Sequence, residues 1–146
     1  MMNLIVLIQV FATFFLAGLS WFVQWVHYPL FHYVSESTFS DFHKAHVVRT
    51  QVLIFLLLPV EIVTSAMTAI YGFRGLDHSL WVVNFIFVIG ICLSTLFIQL
   101  PIHRQLSLEK SSKLIDLLVL SHGLRTALWT FRSSFLALVL LHLFKS

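Results

Sequence analysis

The chain has 146 residues, of which 59% are hydrophobic and 10% charged; its mean hydropathy is +0.94 and its formal net charge +3. A soluble domain carries about 25% charged residues, so this composition excludes an ordinary soluble domain, a disordered chain and a coiled coil. The few Lys and Arg are scattered rather than gathered on one face, which argues against a nucleic-acid partner.

The charged residues divide the chain. Met1–Ser35 has none, Thr50–Phe73 only Glu61, His78–His103 none, and Leu117–Phe144 only Arg125 and Arg132. A hydrocarbon core of about 30 Å needs roughly 20 helical residues. Each run is long enough, and backbone polar groups in lipid must pair within their own segment. The expected fold is an all-α, four-transmembrane-helix bundle, with spans near Leu4–Tyr28, Val47–Tyr71, Leu80–Pro101 and Leu117–Leu143. No low-complexity linker interrupts the chain, so residues 1–146 read as a single integral membrane domain.

The first segment lacks a basic leader, and its apolar residues continue to Phe31, so it reads as a retained helix rather than a cleaved signal. Ser35-Glu36-Ser37-Thr38 is an N-cap region for a short interfacial helix carrying Phe39, Phe42 and His46 on one face. Lys44, Arg49, Arg104, Lys110 and Lys113 fall in the loops after the odd helices; Arg74 and Lys145 fall on the other side. That bias places both termini outside, in a membrane read as the bacterial inner membrane. Cys92 is the only cysteine, so no intrachain disulfide framework exists.

A shift of 76 positions superposes His27 on His103, His46 on His122, Arg49 on Arg125 and Thr50 on Thr126. HVVRT at 46–50 thus meets HGLRT at 122–126. Two tandem helical hairpins would produce such a repeat. Odd helices end where even helices begin, so His27, His46, His103 and His122 are expected near one membrane face, with His32 and His43 in the adjoining loop and His122 about one turn inside the fourth helix.

Within the spans the polar residues form stripes. His122, Arg125, Trp129 and Arg132 share one face of the fourth helix. Thr50, Glu61, Thr64, Ser65 and Thr68 share a face of the second, Gln24, His27 and Tyr28 of the first, and Thr95 and Gln99 of the third. Charged groups in lipid cost several kcal/mol unless they face the bundle interior or water. Glu61, Arg132, Gln24 and Gln99 are therefore expected inside. On the repeat's register Glu61 and Arg132 differ in depth by about 7.5 Å, so a direct and a water-bridged pair are both open.

The histidines allow several chemistries. His27, His46, His103 and His122 are candidate ligands for zinc, copper or iron, with His43 close by. Facing histidines would also hold a b-type haem. Alternatively His27 or His103 is a general base beside Arg125 as oxyanion clamp, with Trp129, Trp21 and Trp25 lining an aromatic pocket. Interfacial histidines are also simply tolerated at headgroup level, and polar stripes are also plain helix–helix glue. The functional alternatives are an enzyme acting on a lipophilic small molecule, a binding or transport module, and a structural bundle subunit.

FVQWVHYPLF, HVVRT followed by PVE, QLPIH and HGLRTALWTFRSS together resemble the anthrone-oxygenase-like family of small four-helix bacterial membrane proteins. Arg125-Thr126 with Trp129 and Arg132 is the most specific part, and His27 with Pro29 the next. Members often carry Asn-Trp where this chain has His122-Gly123. The resemblance implies a four-helix membrane fold, and oxidation of a lipophilic aromatic without a classical redox cofactor. Most members have no assigned activity, so it assigns no catalytic residue.

Overall fold

The computed structural model describes residues 2–73 and 76–144. Arg74 and Lys145, which enter the charge-bias reading, lie outside the described residues. Four helices, each long and apolar enough to cross a membrane, form one bundle: α1 (Met2–Tyr33), α2 (Glu36–Tyr71), α3 (His78–Leu106) and α4 (Ser112–Leu143). The chain is an all-α, four-helix integral membrane protein. Large apolar side chains such as Phe11, Phe55, Phe97 and Leu120 cover its outer surface, the reverse of a soluble bundle, because lipid is their solvent.

All four helices are longer than the expected spans. Ser35 ends an extended stretch and α2 starts at Glu36, so the expected interfacial helix is not a separate element. It is the first turns of a 36-residue helix. No glycine, proline or loop residue separates Phe39 from Val47, so helical hydrogen bonding runs on unbroken. Phe39, with Phe31, Leu106 and Ile115, builds a small apolar core that caps the His-rich end.

The two odd helices share a device that the apolar pattern did not reveal. In α1 a π-helical turn spans Val23–His27, two residues before Pro29; in α3 one spans Thr95–Gln99, two residues before Pro101. Proline has no N–H, and its ring clashes with the carbonyl four residues back. The residue before each proline instead bonds the carbonyl five back, Tyr28 N–H to Val23 and Leu100 N–H to Thr95. Each π turn advances the helix face, carrying Tyr28 and His103 inward.

These turns revise the repeat. Odd helices correspond at a shift of 72, whereas the starts of even helices, Ser35 and Ser111, correspond at 76. The His27–His103 match is therefore not a structural equivalence. Arg49 is exposed while Arg125 lines the interior. The tandem hairpins are present, but their polar contacts are not symmetric.

Candidate functional site

Helix α2 packs closely on α1 and α3 but hardly approaches the backbone of α4. The space left beneath it holds the candidate site. A small, partly open cavity of about 50 Å³ is bordered by Tyr28, Thr50, Thr95, Arg125 and Trp129. It adjoins two larger grooves of about 300 Å³ each. One, between α1 and α2, is bordered by His27, His46 and Arg49; the other, between α2 and α3, by His46, Gln99, His103 and Arg125. Thr50 borders all three.

Above the cavity the histidines split into two sets. His27 Nε2 lies 2.7 Å from His46 Nδ1, which Thr50 Oγ1 also approaches at 3.2 Å. On the other side Tyr28 Oη is 3.1 Å from His103 Nε2, and His103 Nδ1 is 3.0 Å from His43 Nε2. His43 Nδ1 in turn meets Ser107 Oγ at 3.1 Å. Ser107 Oγ donates to the His103 carbonyl, so His43 Nδ1 is the donor in that contact. It follows that His103 Nδ1 donates to His43 Nε2 and Tyr28 donates to His103 Nε2. Each of these nitrogens is thereby committed. His46 Nε2, by contrast, has no partner among the described residues.

His122 departs from the expected cluster. The helix begins at Ser112, so His122 sits ten residues, nearly three turns, inside it rather than one. Its Nε2 lies 2.7 Å from Arg125 Nη2, and a guanidinium only donates, so Nε2 accepts. Its Nδ1 then donates to Gln24 Oε1 at 2.9 Å, while Gln24 Nε2 donates to the Val119 carbonyl. His122 is thus a neutral imidazole with both nitrogens used. This removes it from the candidate metal set of His27, His46, His103 and His122, and His43 takes its place beside His103. Among the described residues no three His, Cys, Asp or Glu side chains gather in a group that could hold a metal ion. The available nitrogens, at His46 and His27, lie on one side of the cavity, so facing axial ligands for a haem are likewise not in place.

Arg125 is the unusual group. Besides His122 it reaches only Thr95 Oγ1, at a long 3.4 Å, and its buried Nε has no hydrogen-bond partner. No carboxylate lies against it among the described residues. A buried cation without an anionic partner is costly, so an unmatched guanidinium edge on a cavity wall invites an oxygen ligand.

Arg132 is the opposite case. It is fully buried and lies 2.7 Å from Glu61 Oε2, so the ion pair is direct rather than water-bridged. Ser65 and Asn84 also accept from it, and the Trp129 ring lies over its guanidinium, 5.2 Å from the ring centre. Of the two arrangements left open by the depth difference, the direct one, spanned by the long Arg132 side chain, is present. Thr13 donates to the other Glu61 oxygen, and Gln9 donates to Ser65.

Of the residues expected inside, Glu61, Arg132 and Gln99 are buried and Gln24 half-buried. Trp129 is buried on the cavity wall, but Trp21 and Trp25 stack on each other on the lipid-facing surface, outside the pocket. Each follows a stripe residue, Ser20 or Gln24, by one position and so lies about 100° round the helix, on the flank of the stripe, where Trp21 donates to Thr130 on α4. Gln9, Thr13, Ser20, Asn84 and Ser94 were missed, yet all are buried. Gln9, Thr13, Ser20, Gln24 and His27 follow spacings of 4, 7, 4 and 3 along α1, a helical stripe that periodicity alone would have shown.

The chain matches no protein-family model, no curated protein and no solved structure.

Proposed function

We propose that this protein is a small membrane oxygenase or oxidoreductase acting on a lipophilic molecule that presents a carbonyl or acidic oxygen to Arg125. The observation that carries the reading is Arg125, whose buried Nε has no partner and whose side chain borders both the small cavity with Trp129 and the α2–α3 groove with His46. Preorganised donors of this kind stabilise an oxyanion that develops during reaction, and one such donor is commonly worth about 10²–10³ in rate. His46 Nε2 accepts a proton when the proton shared with His27 resides on His46 Nδ1, and His27 then relays charge away. In this role His46 replaces His103, whose nitrogens are committed to Tyr28 and His43.

The reaction class is oxidation of a CH₂ conjugated with that oxygen. The carbon loses a proton to His46, and Arg125 stabilises the resulting enolate. The enolate's electrons reduce dioxygen; one oxygen atom remains as a new carbonyl and the other leaves as water with both hydrogens. This chemistry agrees with the resemblance to anthrone-oxygenase-like proteins. The His-rich face is assigned to the cytoplasm and both termini to the outside of a bacterial inner membrane, from the Lys and Arg bias.

A transport path past Glu61, Arg125 and Arg132 is disfavoured by the apolar plug of Val6, Phe73, Trp81, Leu136 and Val139 at the opposite end. The test is oxygen uptake by the protein in lipid nanodiscs supplied with anthrone, alongside metal analysis and a visible spectrum. Arg125→Gln is expected to lower uptake at least a hundredfold, and His46→Asn by a similar factor. Uptake no higher than that of empty nanodiscs would sink the proposal.

A further inference from the structure

The groove between α2 and α3 is more than a mouth of the site. Its polar end carries His46, Gln99, His103 and Arg125, and its other wall is Ile54, Phe55, Leu58 and Leu96. Phe55 and Leu96 are exposed, 73% and 55%, so the groove opens sideways into the acyl-chain region rather than to water. Lys44 is exposed on α2 above its polar end, and the exposed Arg49 lies at the level of that end, bordering the neighbouring α1–α2 groove. From His46 to Leu58 is twelve residues, about 18 Å along the helix. The polarity gradient along that length runs as in a leaflet lipid: oxygen-binding groups toward the interface, apolar wall toward the midplane.

We propose that this groove takes a single-chain amphiphile directly from the leaflet. Its singly charged oxygen head sits at Arg125 and its unbranched chain lies between α2 and α3. The proposal rests on Arg125 as the oxygen clamp and names a further ligand class of that site: a chain-bearing acid, beside the ring ketone of the oxidation assay. One negative charge matches Arg125, which lines the interior without a counter-charge among the described residues, whereas a doubly charged phosphate monoester would leave excess charge in a dry site. The same match excludes amines. Lateral entry needs no opening of the apolar cap formed by Phe31, Phe39 and Leu106 over the His-rich end.

The test measures binding of radiolabelled dodecanoate, which cannot undergo the oxidation, to the full chain in phosphatidylcholine nanodiscs, with empty nanodiscs subtracted. Saturable binding near one per chain is expected. Dodecanol, octanoate and dodecyl phosphate are each expected to compete at least tenfold less well than unlabelled dodecanoate. Arg125→Gln and the groove-filling Leu96→Trp should each weaken binding at least tenfold. Leu120→Trp, on a lipid-facing surface of α4 away from the groove, should stay within twofold. If Arg125→Gln does not give a monodisperse helical protein, the Leu96→Trp and Leu120→Trp pair and the head-group series decide alone. Equal competition by dodecanol and dodecanoate, or equal effects of the two tryptophans, would overturn the proposal. Selective dodecanoate binding without oxygen uptake would remove only the enzyme reading; oxygen uptake with anthrone but no selective dodecanoate binding would remove only this one.

Discussion

Two arginines two helical turns apart on α4 meet opposite fates, and the difference is set by single neighbours. Arg132 finds Glu61, Ser65 and Asn84, all on the facing walls of the bundle. Arg125 finds a neutral histidine and a distant hydroxyl. Removing one partner of a buried pair leaves the other charge stranded, at about 3–5 kcal/mol. Arg132→Met is therefore expected to destabilise the bundle by about that amount, and Glu61→Leu in the same chain should restore much of it. Unfolding in mixed micelles measures both, and equal stability of the single and double variants would refute the coupling. Arg125→Gln has no such partner to strand, so its main effect falls on ligand binding rather than on unfolding. Gln24→Leu would leave His122 Nδ1 only the Thr126 hydroxyl, 3.2 Å away, as acceptor, and is expected to cost about 1 kcal/mol in the same unfolding measurement.

At the scale of elements, the π turns before Pro29 and Pro101 shape the site. A regular helix would present different residues to the interior after each turn, and the Tyr28–His103 contact depends on both turns at once. The start of α3 has a simpler device. Asp77 is its N-cap, and its carboxylate accepts from the Ser79 backbone N–H at 2.9 Å. That hydrogen bond holds the Asp77 carboxyl below its ordinary range. A lowered folded value means that the stabilisation is present above the unfolded value and fades as pH falls through the folded one. Asp77→Ala should lower the melting temperature at neutral pH. Asp77→Asn, which still accepts the bond, should lower it less, and the gap between wild type and Asn should close in acid. A gap that persists unchanged at the lowest pH would contradict the cap.

For the molecule as a whole, the bundle is closed at one end and open at the flank of the other. Trp81, Leu136 and Val139 fill the closed end, while the cavity under α2 reaches lipid on either side of that helix. A closed end suits a site that binds and reacts, not a conduit. Orientation is checked by cysteine labelling in a Cys92→Ser background. Asp77→Cys should react with an impermeant maleimide from outside, and Asp116→Cys only after permeabilisation. The reverse pattern would invert the topology and place the site under the outer leaflet.

How much of this was legible follows from which forces act locally. Four charge-poor runs, each too long to be anything but a helix in lipid, declared the bundle, because the cost of exposed backbone in hydrocarbon depends on composition alone. The stripe of His122, Arg125, Trp129 and Arg132 pointed inward for the same reason. The α1 stripe through Gln9, Thr13 and Ser20 was equally readable but lay hidden among apolar neighbours. Which residue meets which was a tertiary decision. The stretch from proline to the next helix start is four residues longer in the second half, Pro101 to Ser111 against Pro29 to Ser35, and this offsets the odd helices from the even ones. Helix placement gave Glu61 to Arg132 and His103 to Tyr28 and His43, whereas Arg125 lies beside His122 one turn back on its own helix. Such pairings depend on the relative rotation and depth of whole helices. Packing across the bundle sets those quantities, and the linear order of residues does not contain them.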